Sequence, residues 1–106
     1  METSKSDWRL YREKVSGWQE KYMEMLIKDY ITYLSSDERA STKFWEMEKR
    51  IKADKKTPGV CIELNKGNMM FDLVRFLQDG VIIFDDLDEF SDELRENVRL
   101  LWERFK

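Results

Sequence analysis

The sequence predicts an all-α, mainly helical fold in one domain spanning residues 1–106. A long N-terminal helical hairpin (7–53) is followed by a C-terminal helical subdomain (58–106) of two or three shorter helices. Three observations carry this. Apolar residues recur in steps of three and four along most of the chain. The strongest breaks, Ser35-Ser36-Asp37, Thr57-Pro58-Gly59, Asp79-Gly80 and Ser91, fall between those periodic stretches. Only Val60–Leu64 and Val81–Phe84 read as strand-like, and a two-stranded ribbon needs packing support from elsewhere.

The first helix is expected to start at Ser6 or Asp7, with Ser6 as N-cap and Asp7 placing negative charge in the first turn. Trp8, Tyr11, Val15, Trp18, Tyr22, Leu26, Tyr30 and Tyr33 mark one face. A second row, Met23, Ile27, Ile31 and Leu34, widens it, so the helix is expected to be contacted from two sides near its C-terminal end. Gly17 marks a bend or a close crossing. Running to Leu34, the helix would be roughly 42 Å long. It is then either the spine of the fold or an element whose aromatic first half packs on a second copy or another protein.

The second helix is expected over Asp37–Ala53, with Ser35 and Glu38 at capping-box spacing. Ala40, Phe44, Met47 and Ile51 form its apolar set, with Trp45 on the flank, and the short connection implies an antiparallel hairpin. After Pro58, a helix with Thr57 as N-cap and Pro58 at its first position is favoured, with a strand or extended segment at 60–64 as the alternative. A helix restarts at Asn68 and runs Met69–Gln78, turning Met70, Phe71, Val74 and Leu77 inward, with Leu73 and Phe76 widening the stripe. Gly80 suits a left-handed C-terminal cap. Val81–Phe84 then tucks into the core, and Asp85–Phe90 forms a short turn with Leu87 and Phe90 inward. Ser91 caps a final helix burying Leu94, Val98, Leu101 and Phe105. Residues 65–90 are thus the folding hub.

Composition narrows function by exclusion. Apolar residues are 42% and charged residues 39% of the chain, a balance that fits helices with charged outer faces. Histidine is absent, which removes histidine-based triads and histidine metal ligands. The lone cysteine, Cys61, lies between Val60 and Ile62 and reads as a small buried hydrophobe. No phosphate-binding glycine loop is present. An EF-hand register from Asp85 puts Leu87 at position 3 and Phe90 where the turn glycine belongs, and one from Asp86 puts Phe90 at position 5 and Asn97 at position 12. With no apolar run of membrane-spanning length and no leader pattern, a soluble cytoplasmic protein is expected. No enzyme, cofactor, metal or small-molecule substrate is indicated.

Three surfaces remain as candidates. The aromatic face of the first helix, Trp8, Tyr11, Trp18 and Tyr22, would serve a protein-protein interaction module that binds an unidentified partner or a second copy, regulating or blocking that partner. The acidic edge Asp85, Asp86, Asp88, Glu89, Asp92 and Glu93 could imitate phosphates over residues 85–96. In size and class the chain is similar to small phage-encoded inhibitors such as anti-CRISPR proteins, which implies a nucleic-acid mimic; no motif extends the likeness. The basic helix end, Lys49, Arg50, Lys52, Lys55 and Lys56, would contact nucleic acid. Charge is split between the halves, +2 over residues 1–57 and −5 over 58–106. The interaction module is the preferred reading.

Overall fold

The computed structural model describes residues 3–105. It is all-α, with α1 (Lys5–Leu34), α2 (Ala40–Asp54), α3 (Met69–Gln78) and α4 (Asp92–Phe105), plus short 3-10 turns at Lys66–Asn68 and Phe84–Leu87. The molecule measures 52 × 27 × 22 Å. This elongation arises because α1 outruns the core: its first half is built into a body, and its second half leaves that body to pair with α2 as an arm.

Helix α1 begins earlier than its sequence signals suggest. Ser4, not Ser6, is the N-cap, its hydroxyl accepting the Asp7 N–H at 3.1 Å. Asp7 is itself buried. The expected bend or crossing at Gly17 has no packing basis, since a Cβ there would meet nothing within 4 Å. The capping box at Ser35 is also not formed. Ser35 closes α1 instead, donating its N–H to the Ile31 carbonyl, and α2 starts after Arg39 without a side-chain cap.

Residues 57–65 form neither the favoured helix nor a strand. The N–H groups of Val60 and Cys61 both turn back to the Thr57 carbonyl, and 61–65 runs without regular structure. Asn65 then accepts the Gly67 N–H at 2.8 Å, starting the 3-10 turn that leads into α3. Gly59 is buried against α1 because the Tyr22 ring lies where a side chain would go: a Cβ at Gly59 would sit 2.4 Å from a ring carbon. The Gln19 amide donates to the Pro58 carbonyl at 2.9 Å, fixing this turn to the same stretch of α1. Cys61 is exposed rather than buried, because its segment is a surface connection.

The core lies in the body, around the hub. Met69, Met70, Leu73, Val74 and Phe76 of α3 meet Leu94, Val98 and Leu101 of α4, with Ile82, Leu87 and Phe90 closing the gap between them. Tyr11, Val15 and Trp18 of α1 cover this layer. Phe76 stands edge-on to Trp18, ring centres 5.7 Å apart, and Tyr11 and Phe90 flank the pair. Gly80, at φ +73°, ends α3 as expected, and the Val81 N–H returns to the Phe76 carbonyl. The α3 stripe is rotated from its expected centre: Phe71 is exposed and Leu77 only half-buried, because α4 and the Ile82 segment approach the Leu73–Phe76 side. Phe105 is also exposed, paired with Phe71 beyond the end of the core. No helix of the described residues is long and apolar enough to cross a membrane.

Candidate functional site

The expected aromatic surface is not formed. Tyr11 and Trp18 are core residues, Trp8 is half-buried with the Arg12 guanidinium 5.3 Å from its ring centre, and Tyr22 is half-buried over Gly59. The physical reason is position: these residues lie on the part of α1 that α3, α4 and the 58–60 turn cover. Their periodicity marked a buried face, not a docking one.

The acidic residues reach the surface but carry structural duties. Asp86 accepts the Ile83 N–H at 2.8 Å, Glu89 pairs with Lys14 at 3.2 Å, and Asp92 pairs with Arg95. Asp85, Asp88 and Glu93 are exposed. Arg95 and Arg99 line the same depression as Asp85 and Asp88, and Arg99 stacks over Phe84 at 4.4 Å. The edge is therefore mixed in charge.

Of the basic residues, one is drawn into the hairpin: the Arg50 guanidinium lies 4.1 Å from the Tyr33 ring centre and 3.5 Å from Glu46. Lys49 and Lys52, three residues apart, share one flank of α2, Lys55 and Lys56 follow at its end, and all four are exposed. The Tyr30 hydroxyl donates to Asp54, and burial, together with this bond, pushes the phenol up to about 12.

Among the described residues of the body, three buried polar atoms lack hydrogen-bond partners: the Tyr11 hydroxyl, one oxygen of Asp72 and Arg95 Nε. Burial raises the ionisation range of Tyr11 and of Asp72, and the negative charge of Asp72 raises Tyr11 further. Among the described residues, no three Cys, Asp or Glu side chains assemble into a group that would hold a metal ion.

The second half of α1 and all of α2 form an arm outside the core. From Gln19 to Thr57 no residue is buried. The two helices meet through the Tyr30–Asp54 bond and the Arg50–Tyr33 stack, and Met23, Leu26 and Met47 are half-buried beside them. Outside that seam lie Ile27 (52% exposed), Ile31 (57%), Leu34 (44%), Phe44 (66%) and Ile51 (43%). Helical spacing puts Ile27, Ile31 and Leu34 on one flank of α1, and Phe44 and Ile51 on one flank of α2. The two flanks are on the same side of the hairpin, since Ile27 and Ile51 line one apolar groove of about 150 Å³ with Met23, Leu26 and Val60. Trp45, 62% exposed, lies edge-on to Phe44 at 5.1 Å.

Following the α1 flank toward the body shows a change of chemistry. Positions 9, 13, 16, 20 and 24 continue it as Arg, Glu, Ser, Glu and Glu, all exposed. The flank turns apolar only where the helix has left the body. The second row, Met23, Ile27, Ile31 and Leu34, was the signal available in the sequence.

No protein-family model, curated protein or solved structure matches the chain.

Proposed function

We propose that this protein is a non-catalytic protein-interaction module whose docking element is the arm, and that the apolar face Ile27, Ile31, Leu34, Phe44 and Ile51 is covered in the working complex. One observation supports this most: a two-helix arm with no buried residue carries five large apolar side chains on a single side. Isolated apolar residues on a surface are ordinary, whereas a contiguous set of this kind marks an interaction site. Flat helical hairpins offer shape and apolar contact rather than a pocket, which suits a helical or flat protein partner. The partner's activity would be blocked or regulated by that contact.

The arm also differs from the body in charge. Residues 19–57 hold nine basic and eight acidic side chains, so the arm is near neutral and gives little electrostatic attraction to a polyanion. The excess of positive charge is confined to residues 49–56, and elsewhere the arm offers contact through apolar area.

The test is site-specific photocrosslinking in cells that make the protein. A photoreactive residue at Phe44 should yield one defined adduct, abolished by Ile31→Lys, while the same probe at Leu100, exposed on α4, should yield none. Absence of any adduct specific to the arm would contradict the proposal, as would an adduct indifferent to Ile31→Lys.

A further inference from the structure

We infer that a recess of the body, between the first turn of α3 and the last turn of α4, binds a small amphipathic carboxylate. The ligand's apolar part lies on Met70, Phe71 and Leu101, and its carboxylate lies between Lys66 and Arg104. This site is separate from the arm and stands whether or not the arm docks a protein. The recess encloses about 510 Å³, within the size range of small-molecule sites. Its deep part is Met70 and Leu101, each 7% exposed and each a member of the core. The seam between α3 and α4 therefore opens to solvent here. Phe71 adds an exposed wall and pairs with Phe105, ring centres 6.4 Å apart. A ligand in the recess covers the Phe71 ring, which the packing of α3 leaves in solvent, and apolar area removed from water favours its binding.

Charge selects the other end of the ligand. Residues 58–106 carry a net charge of −5. Among their described residues, three basic side chains are committed locally: Arg75 lies 4.0 Å from Asp72, Arg95 pairs with Asp92, and Arg99 stacks over Phe84 at 4.4 Å. The other two, Lys66 and Arg104, form no ion pair with a described residue, and both line this recess. No Asp or Glu lines it. One solvated cation on a surface needs no partner. Two cations from separate elements, meeting at an apolar recess free of carboxylates in the acidic half of the chain, complement an anion. Arg104 offers a planar fork that matches a carboxylate, and Lys66 offers a mobile point charge. Inorganic phosphate would leave the apolar walls wet, and a neutral alcohol would leave both cations unpaired. A carboxylate on an apolar body satisfies both.

The experiment is a titration of the full chain with octanoate, octan-1-ol, octylamine and inorganic phosphate, followed by amide NMR shifts and by Tm. Octanoate should shift the amides of Gly67, Met70, Phe71 and Leu101 and leave those of Ile27 and Ile51 in place. At about ten times its dissociation constant it should raise Tm by about 5 °C. Lys66→Gln with Arg104→Gln should weaken octanoate by at least about tenfold, since hydrogen bonds to charged groups are lost, and leave the weaker octan-1-ol binding unchanged. Both side chains are exposed, so the double variant should keep the parent's Tm without ligand, which separates lost binding from lost folding. No shift with millimolar octanoate overturns the inference, as do shifts centred on the arm. Equal binding of octan-1-ol or octylamine overturns the role of the cations, and equal binding of phosphate overturns the role of the apolar walls. A peptide with a free C-terminal phenylalanine that binds where octanoate does not would give the recess to a protein terminus and overturn the small-molecule ligand.

Discussion

The Asp7 carboxylate holds Ser91 from both sides of its residue: it accepts the Ser91 backbone N–H at 2.9 Å and the Ser91 hydroxyl at 2.6 Å. The same hydroxyl accepts the Leu94 N–H at 3.1 Å, capping α4. One buried carboxylate in the first turn of α1 thus positions the cap of the last helix, 84 residues away in sequence. Hydrogen bonds to a charged group are each worth roughly 1.5–3 kcal/mol. Asp7→Ala should therefore destabilise the fold by at least about 2 kcal/mol, leaving the Ser91 N–H without its acceptor. Ser91→Ala should cost about 1–2 kcal/mol through the lost cap. The double variant should cost less than the sum, because the two residues share one network. Denaturant unfolding of the three variants checks this, and strict additivity would contradict it.

The contact between Tyr22 and Gly59 joins the body to the base of the arm. Gly59→Ala forces the added methyl into the Tyr22 ring, which must shift. Overpacking of this kind typically costs about 1–3 kcal/mol. Removing the ring should relieve it, so Gly59→Ala made in a Tyr22→Ala chain should be close to neutral. Unfolding curves for the four chains of this cycle give the coupling, and an equal cost in both backgrounds would show that the ring is not the obstacle.

Asp72 sets a pH dependence of identifiable sign. Its side chain is about one-tenth exposed, one oxygen has no partner, and Arg75 is 4.0 Å from the other. Burial raises its ionisation range above the ordinary carboxyl value, and Arg75 offsets this only in part. A carboxyl raised on folding binds its proton more tightly in the folded state. Its contribution is then fully present below the unfolded value near 4 and is lost as pH rises through the higher folded value. Asp72→Asn should accordingly be more stable than the parent at neutral pH, with the advantage shrinking in acid. Chemical unfolding at neutral and acid pH measures this; a loss of stability at neutral pH would contradict it.

Much of the fold was legible because its determinants are local. The steps of three and four in α1, the Gly80 cap, the Ser91 cap and the inward Leu87 and Phe90 all depend on near neighbours in sequence. What was not legible depends on distant partners. Asp7 read as an ordinary first-turn acid because Ser91 is remote. Pro58 suggested a helix start, but two bonds to the Thr57 carbonyl and the packing of Gly59 under Tyr22 make a turn. The candidate surface failed for the same reason. Both the Tyr11–Trp18 row and the Ile27–Leu34 row are periodic and apolar, and only the position of α3 and α4 decides which one is covered.

The proposed role requires the arm to be covered in the working complex and the body to stay free. Amide hydrogen exchange, compared peptide by peptide between the isolated protein and the complex recovered through the Phe44 crosslink, tests this most directly. Peptides spanning residues 23–34 of α1 and 40–54 of α2 should gain protection in the complex, while those of α3 and α4 stay constant. Arm peptides that exchange equally in both states, or protection that grows instead on the body, would contradict it.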